Sequence, residues 1–227
     1  MFDALKLALF DLDHTLLPLD SDYSWGEFTI RMGWVDPVSF AQRNDAFYAD
    51  YQAGRLDIHD YVRFATEAFR LKGPEAAHAA HAQFMAEVIR PAIRPEALAL
   101  IERHRAAGDH LLVVTATNEF VTRPIVQALG IAELIAVELQ RDANGWFTGE
   151  IEGTPSMREG KVQRLQQWLD ARGLSWTSVQ TTFYSDSPND LPLLSRVNHP
   201  VATNPDSVLR AEAHKRGWPI LELFATS

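Results

Sequence analysis

The chain contains no cysteine, which excludes disulfides and thiolate metal sites at the outset. It has no run of about 18 apolar residues, so no membrane-spanning helix is expected. Positive charge is in deficit: 21 Lys and Arg against 30 Asp and Glu leave a net charge of −9. That balance argues against nucleic acid or an anionic membrane as the main partner. A small anionic substrate stays open, because a site can be locally positive on an acidic protein. The opening residues, Met1 to Lys6, lack a basic segment ahead of a sustained apolar run, so no signal peptide is expected. Together with the missing cysteines this leads us to expect a soluble cytoplasmic protein. Internal repeats and low-complexity segments are also missing. The length of 227 residues suits one large domain or a core with a smaller companion.

What is present begins at Lys6. Leu7 to Phe10 form a short apolar run of the kind buried on both faces of a parallel sheet, and Asp11, Asp13 and Thr15 follow it at once. Paired acids at the end of a buried strand need a partner, a hydrogen bond or a cation. From about residue 20 to 90 every signal is helical. Ser21 or Asp22 can cap a first helix carrying Trp25, Phe28 and Met32, and Asp36-Pro37 opens a second with Phe40, Phe47, Tyr48 and Tyr51 on one face. Asp57 opens a third through Phe69, and a fourth is expected from Pro74 to Arg90. The aromatic faces read as the packed core of a small helical module, with a substrate-pocket wall as the alternative.

After Pro95 helices and strands alternate. Strands are expected at His110 to Val114, Leu134 to Leu139, Val179 to Tyr184 and Val197 to Ala202, with a hairpin at Asp142 to Gly145 returning through Trp146 to Ile151. Helices are expected at Pro95 to Arg105, Glu119 to Leu129, Gly160 to Leu169 and over 205–216. The expected fold is therefore α/β: a Rossmann-like parallel sheet flanked by helices, with an inserted all-helical module.

Three of these strands finish in polar residues: Asp11 and Asp13, then Thr115, then Asp186 and Asp190. Open α/β sheets bind ligands beyond the carboxyl ends of their strands. Four carboxylates and a hydroxyl gathered there would need a cation, and an all-oxygen site with few carboxylates suits Mg²⁺. Lys161 could add positive charge, and amides beginning near Ala116 could cradle an anion at a helix start. Taken singly, each residue has a plainer reading. Asp11 and Asp13 could be turn residues, Thr115 a helix cap, Lys161 a solvated lysine and Asp190 the cap of Leu191 to Leu194. His14 reads as a local contact, His78 and His81 as a solvated face, and Trp146 with Phe147 as hairpin packing.

The series Asp-x-Asp-x-Thr, Thr115, Lys161 and Asp186-x-x-x-Asp190 resembles the haloacid dehalogenase-like hydrolase superfamily over nearly the whole chain. The long helical first gap resembles its class I, phosphoserine-phosphatase-like branch. The resemblance implies a helical cap at 18–92 over a catalytic core at 1–17 and 93–227, and a Mg²⁺-dependent phosphatase working through an aspartyl-phosphate. It implies that Asp11 is the nucleophile and Asp13 the general acid and base, with Thr115 and Lys161 holding the phosphoryl group. Asp186 would bind the metal with Asp11 and the Asp13 carbonyl, and Asp190 would support them. Asp20 occupies the place of an acid that reads a substrate amino group, while Ala116, Thr117, Asn118 and Asn189 would contact substrate. The implied partner is a small phosphorylated metabolite, such as phosphoserine or histidinol phosphate, with no nucleic acid or membrane partner.

Ala116-Thr117-Asn118 departs from the family's small Gly-rich turn, which puts phosphoserine itself in doubt. Arg31, Arg55 and Arg63 are candidates for reading a substrate carboxylate. The alternatives are a catalytically retired module that binds a phosphorylated ligand, or a phosphotransferase. Halide removal is disfavoured by Asp13, and phosphonate cleavage by the lack of any feature that marks Lys72 as reactive.

Overall fold

The computed structural model describes residues 4–224. Six parallel strands form the main sheet in the order β3-β2-β1-β6-β7-β8. They are β1 (Leu5–Phe10), β2 (His110–Asn118), β3 (Glu133–Val137), β6 (Val179–Ser185), β7 (His199–Thr203) and β8 (Ile220–Leu221). β1 lies between β2 and β6, with Leu9 beside Leu112 on one side and Phe183 on the other. Its side chains serve two cores: Leu7 and Leu9 face one layer, Ala8 and Phe10 the other. This is the alternation of a strand covered on both faces.

Between β1 and β2 the described chain is helical: α1 (Ser21–Arg31), α2 (Pro37–Gln52), α3 (Ile58–Lys72), α4 (Pro74–Phe84), a π-helical turn at Met85–Ile89, α5 (Arg90–Ala92) and α6 (Pro95–Ala106). The expected single helix from Pro74 to Arg90 is thus interrupted. Pro91 has no N–H to donate four residues back, and the Arg90 N–H donates to Met85 O, five residues back. α1 is capped by Asp20, whose carboxylate accepts the Tyr23 N–H at 2.8 Å, and not by Ser21 or Asp22. The helices pack on the sheet layer through Trp25, Phe69 and Phe120, with Phe69 and Phe120 stacked 4.2 Å apart. His81 joins this packing. It is 4% exposed and its Nε2 lies 3.0 Å from Val121 O, which corrects the expectation of a solvated face for His81, while His78 is exposed.

The second half alternates α7 (Glu119–Ala128), α8 (Glu159–Asp170), α9 (Leu191–Leu194) and α10 (Ser207–Arg216) with the strands. The strand expected from Leu134 to Leu139 divides: β3 stays in the main sheet, and β4 (Leu139–Arg141) turns away to pair with β5 (Phe147–Ile151). This hairpin lies against α3, where Arg70 donates to Thr148 O at 2.7 Å. No helix among the described residues is long and apolar enough to cross a membrane.

Candidate active site

The acids meet where β1, β2 and β6 end. β2 runs on to Asn118, and its pairing with β3 slips between Val114 and Asn118. This irregularity lifts Thr115, Ala116 and Thr117 out of the ladder and lets all three line a cavity above the sheet. The helix expected to begin near Ala116 begins instead at Glu119, capped by Asn118. The backbone expected to cradle an anion is therefore a strand irregularity and not a helix start.

Lys161 lies beneath the floor, behind Asp11. It is 2% exposed, and its Nζ donates to Asp11 Oδ1 at 2.8 Å and to Asp190 Oδ2 at 2.7 Å. Gly160 makes that placement possible, since a Cβ there would sit 1.9 Å from Pro155 O. Burial pulls the ammonium down, but Asp11 and Asp190 together outweigh it and hold its pKa above the ordinary lysine value. Asp190 caps no helix with its side chain. Its carboxylate takes a further hydrogen bond from Ser185 Oγ at 2.7 Å, and burial, opposed by Lys161, leaves its pKa at about 6. The reading of Lys161 as solvated and of Asp190 as a simple cap does not hold.

Asp13 lies beside this triad. Its two oxygens accept the Ser21 N–H and the Thr117 hydroxyl, each at 2.8 Å. Burial, then the charge of Asp20, push its pKa up to about 6. A carboxyl held in one orientation with a pKa near neutrality can both give and take a proton. Asp186 accepts from Thr15 Oγ1 at 3.2 Å. Burial, then Asp11 and Asp190, raise its pKa well above the usual carboxylate range. Burial also raises Asp11, with Lys161 opposing.

Four carboxylates against one ammonium leave buried negative charge uncompensated, and such a set accepts a cation. Among the described residues no three acidic or histidine side chains converge as a closed metal cage. Asp11 and Asp186 both line the cavity, and such a pair suits Mg²⁺, which is held by one or two carboxylates and keeps several waters.

The cavity above the floor is lined by Asp11, Asp13, Asp20, Asp186, Thr115, Ala116 and Thr117 among the expected residues. Two expected substrate contacts lie elsewhere. Asn118 uses both ends of its amide, accepting from Val121 N and donating to Asp22 Oδ1 at 3.1 Å. Asn189 donates to Tyr51 O at 3.0 Å and accepts from Arg158 Nε at 3.4 Å, so it fastens α2 to the core. The three arginines proposed to read a carboxylate are on the surface: Arg31 pairs with Glu87, Arg55 with Asp50, and Arg63 with Asp60 and Glu150. Lys72 sits over the Trp34 ring, outside the cavity.

The far wall answers to the alternative reading of the aromatic faces and not to the packed-core one. Tyr23, Phe47, Tyr48, Tyr51 and Tyr61 face the acids, with Asn44 and Met157 beside them, and His14 Nε2 lies 3.4 Å from Tyr48 OH. The face shared by Phe47, Tyr48 and Tyr51 is thus a pocket wall, whereas Phe40 packs on Phe64. The available signal was the tyrosine itself, whose hydroxyl needs a partner when buried.

A family model described as haloacid dehalogenase-like hydrolase matches residues 8–195. A histidinol-phosphatase of Neisseria meningitidis serogroup C is 45% identical over 217 residues, covering 95% of this chain and 98% of that protein. A Bordetella pertussis Tohama I crystal structure, of a protein with unknown function, superposes with a TM-score of 0.91 at 46% identity. That match covers 97% of this chain and all 100% of the other. A substrate-bound phosphoserine phosphatase shares the fold, with a TM-score of 0.66 at 17% identity over 97% of this chain and 94% of that one.

Proposed function

The chain belongs to the haloacid dehalogenase-like hydrolases, and on that premise we propose that it is a Mg²⁺-dependent phosphatase acting on a small amino-alcohol phosphate, with histidinol phosphate the first candidate. The single observation that carries this reading is the buried Lys161 clamped between Asp11 and Asp190, with Asp13 oriented beside it at a pKa of about 6. In the proposed division, residues 18–92 are the cap and residues 1–17 and 93–227 the catalytic core.

In the proposed reaction an Asp11 oxygen forms a bond to phosphorus as the ester P–O bond breaks. Asp13 gives its proton to the departing oxygen, so an alcohol leaves and an aspartyl-phosphate remains. Asp13 then takes a proton from water, whose oxygen attacks phosphorus and releases inorganic phosphate with the Asp11 carboxylate restored. Splitting the hydrolysis in two in this way is the gain of covalent catalysis. Thr115 and the amides of the β2 bulge hold the phosphoryl oxygens, and Lys161 keeps the Asp11 carboxylate aimed. Mg²⁺ held by Asp11, Asp186 and the Asp13 carbonyl supplies neutralisation of phosphoryl charge. The substrate class is supported by the histidinol-phosphatase relative and by a cavity rich in acids and rings.

The test is hydrolysis of L-histidinol phosphate and of an aryl phosphate. Both should require Mg²⁺, stop with EDTA and disappear in Asp11→Asn. Turnover surviving that substitution overturns the assignment of Asp11.

A further inference from the structure

The cavity wall opposite the floor carries negative charge with nothing positive to meet it. No arginine or lysine lines the cavity among the described residues. Of the two acids at the N-terminal end of α1 that line the cavity, Asp20 gives one oxygen to its helix, accepting the Tyr23 N–H at 2.8 Å. Asp22 is different. It is 5% exposed, lines the cavity, and takes only neutral donors: the Asn118 amide at 3.1 Å and the Tyr61 hydroxyl beside it. Burial, then the charge of Asp20, push its carboxyl up to about 7. A buried acid paired only with neutral groups is destabilising unless a cation arrives. Tyr23, Phe47 and Tyr61 line the same wall, and ring faces favour cations.

We propose that Asp22, framed by Asn118 and Tyr61, selects the substrate by pairing with a protonated nitrogen on its organic part, and that the missing cationic side chain makes a free carboxylate there unacceptable. The enzyme therefore takes amino-alcohol phosphates and rejects the corresponding amino-acid phosphates. A carboxylate in this cavity meets Asp20 and Asp22 with no guanidinium or ammonium to receive it, and the like charges repel. The acid that reads the substrate is then Asp22, whereas Asp20 commits one of its two oxygens to the helix cap. The inference rests on the phosphatase reading.

Four esters assayed with Mg²⁺ test it: L-histidinol phosphate, its N-acetyl derivative, serinol phosphate and phosphoserine. The last two differ only by a carboxylate in place of a hydroxymethyl group. In the wild-type enzyme kcat/KM should fall about tenfold or more on N-acetylation, and by a similar factor from serinol phosphate to phosphoserine. In Asp22→Asn the ratio of histidinol phosphate to its N-acetyl derivative should collapse towards one, mainly through KM for the cationic ester. Asp20→Asn, which keeps a helix-capping side chain, should retain most of that ratio.

Phosphoserine turned over as well as serinol phosphate overturns the proposal, as does a charge preference that survives Asp22→Asn. The wild-type comparison stands alone should a variant fail to fold. An aryl phosphate assayed in parallel separates the two readings. If it is not hydrolysed, the phosphatase reading fails; if it is hydrolysed without charge preference among the esters, only this inference fails.

Discussion

The floor of the cavity and its far wall hold similar acids under opposite terms. On the floor, Asp11 and Asp190 share Lys161, and Asp190 also has Ser185. On the wall, Asp22 has an amide and a phenol and no counter-charge. The floor is assembled before any ligand arrives, which is what chemistry needs, because fixed dipoles and charges stabilise a transition state without rearranging. The wall is left electrostatically incomplete, which is what recognition needs, because the ligand then brings the missing charge.

The sharpest break of this contrast is Lys161→Met. It strands two buried carboxylates and should destabilise the protein by about 3–5 kcal/mol in urea titrations, with phosphatase activity lost. Adding Asp190→Asn to that variant should restore part of the stability while leaving activity absent.

On the wall the effect should run the other way. Asp22 has a folded-state pKa of about 7 against 3.8 when unperturbed. A group raised in this way is fully stabilising only below its unfolded value, and that contribution is lost as pH rises through the folded value. Asp22→Asn should therefore stabilise the metal-free protein at pH 8, by a few kcal/mol at most, and the gain should shrink to nothing near pH 4. Thermal melts across that range decide it. A variant destabilised at pH 8 would show that Asp22 is a structural acid and that wall and floor are alike.

Mg²⁺ should sharpen the comparison from the floor side. The raised values of Asp11 and Asp186 mean that protons compete with the metal for their oxygens at low pH. Added Mg²⁺ should thus raise Tm by about a few degrees at pH 8 and by less at pH 5. The smallest effect belongs to the outer surface. Arg55 is 69% exposed on its pair with Asp50, and Arg55→Ala should leave kcat/KM within about twofold.

Legibility from sequence followed the same division. Asp11, Asp13, Thr115, Lys161, Asp186 and Asp190 follow or flank strands at positions that chain order alone brings together, and the parallel sheet with its inserted helices is readable from periodicity. What escaped was set by distant partners. Asn118 and Asn189 have the right chemistry for substrate, but Asp22 and the Tyr51 carbonyl claim them first. The arginines found surface acids. Helical spacing placed Tyr48 and Tyr51 on one face of α2 without saying that the face looks on to a cavity. The π-helical turn and the β2 bulge depend on which backbone groups find partners, and no single residue type announces them.

The fastening of α2 has a consequence for its local opening. α3 and α4 are bound to the core by Arg70 on Thr148, by Arg63 on Glu150 and by His81 on Val121, beneath a shared aromatic layer. α2 buries only Phe40 and Asn44, and it runs between Gly33 and Gly54, both in the left-handed region. Its ties to the core include the Asn189 hydrogen bond to Tyr51 O at 3.0 Å and the contact of Tyr48 OH with His14 Nε2 at 3.4 Å. α2 is thus more lightly seated than α3, which buries six side chains. Asn189→Ala removes one of these ties and leaves the Lys161 pairs in place, so amide exchange should quicken over α2 and not over the strand ends.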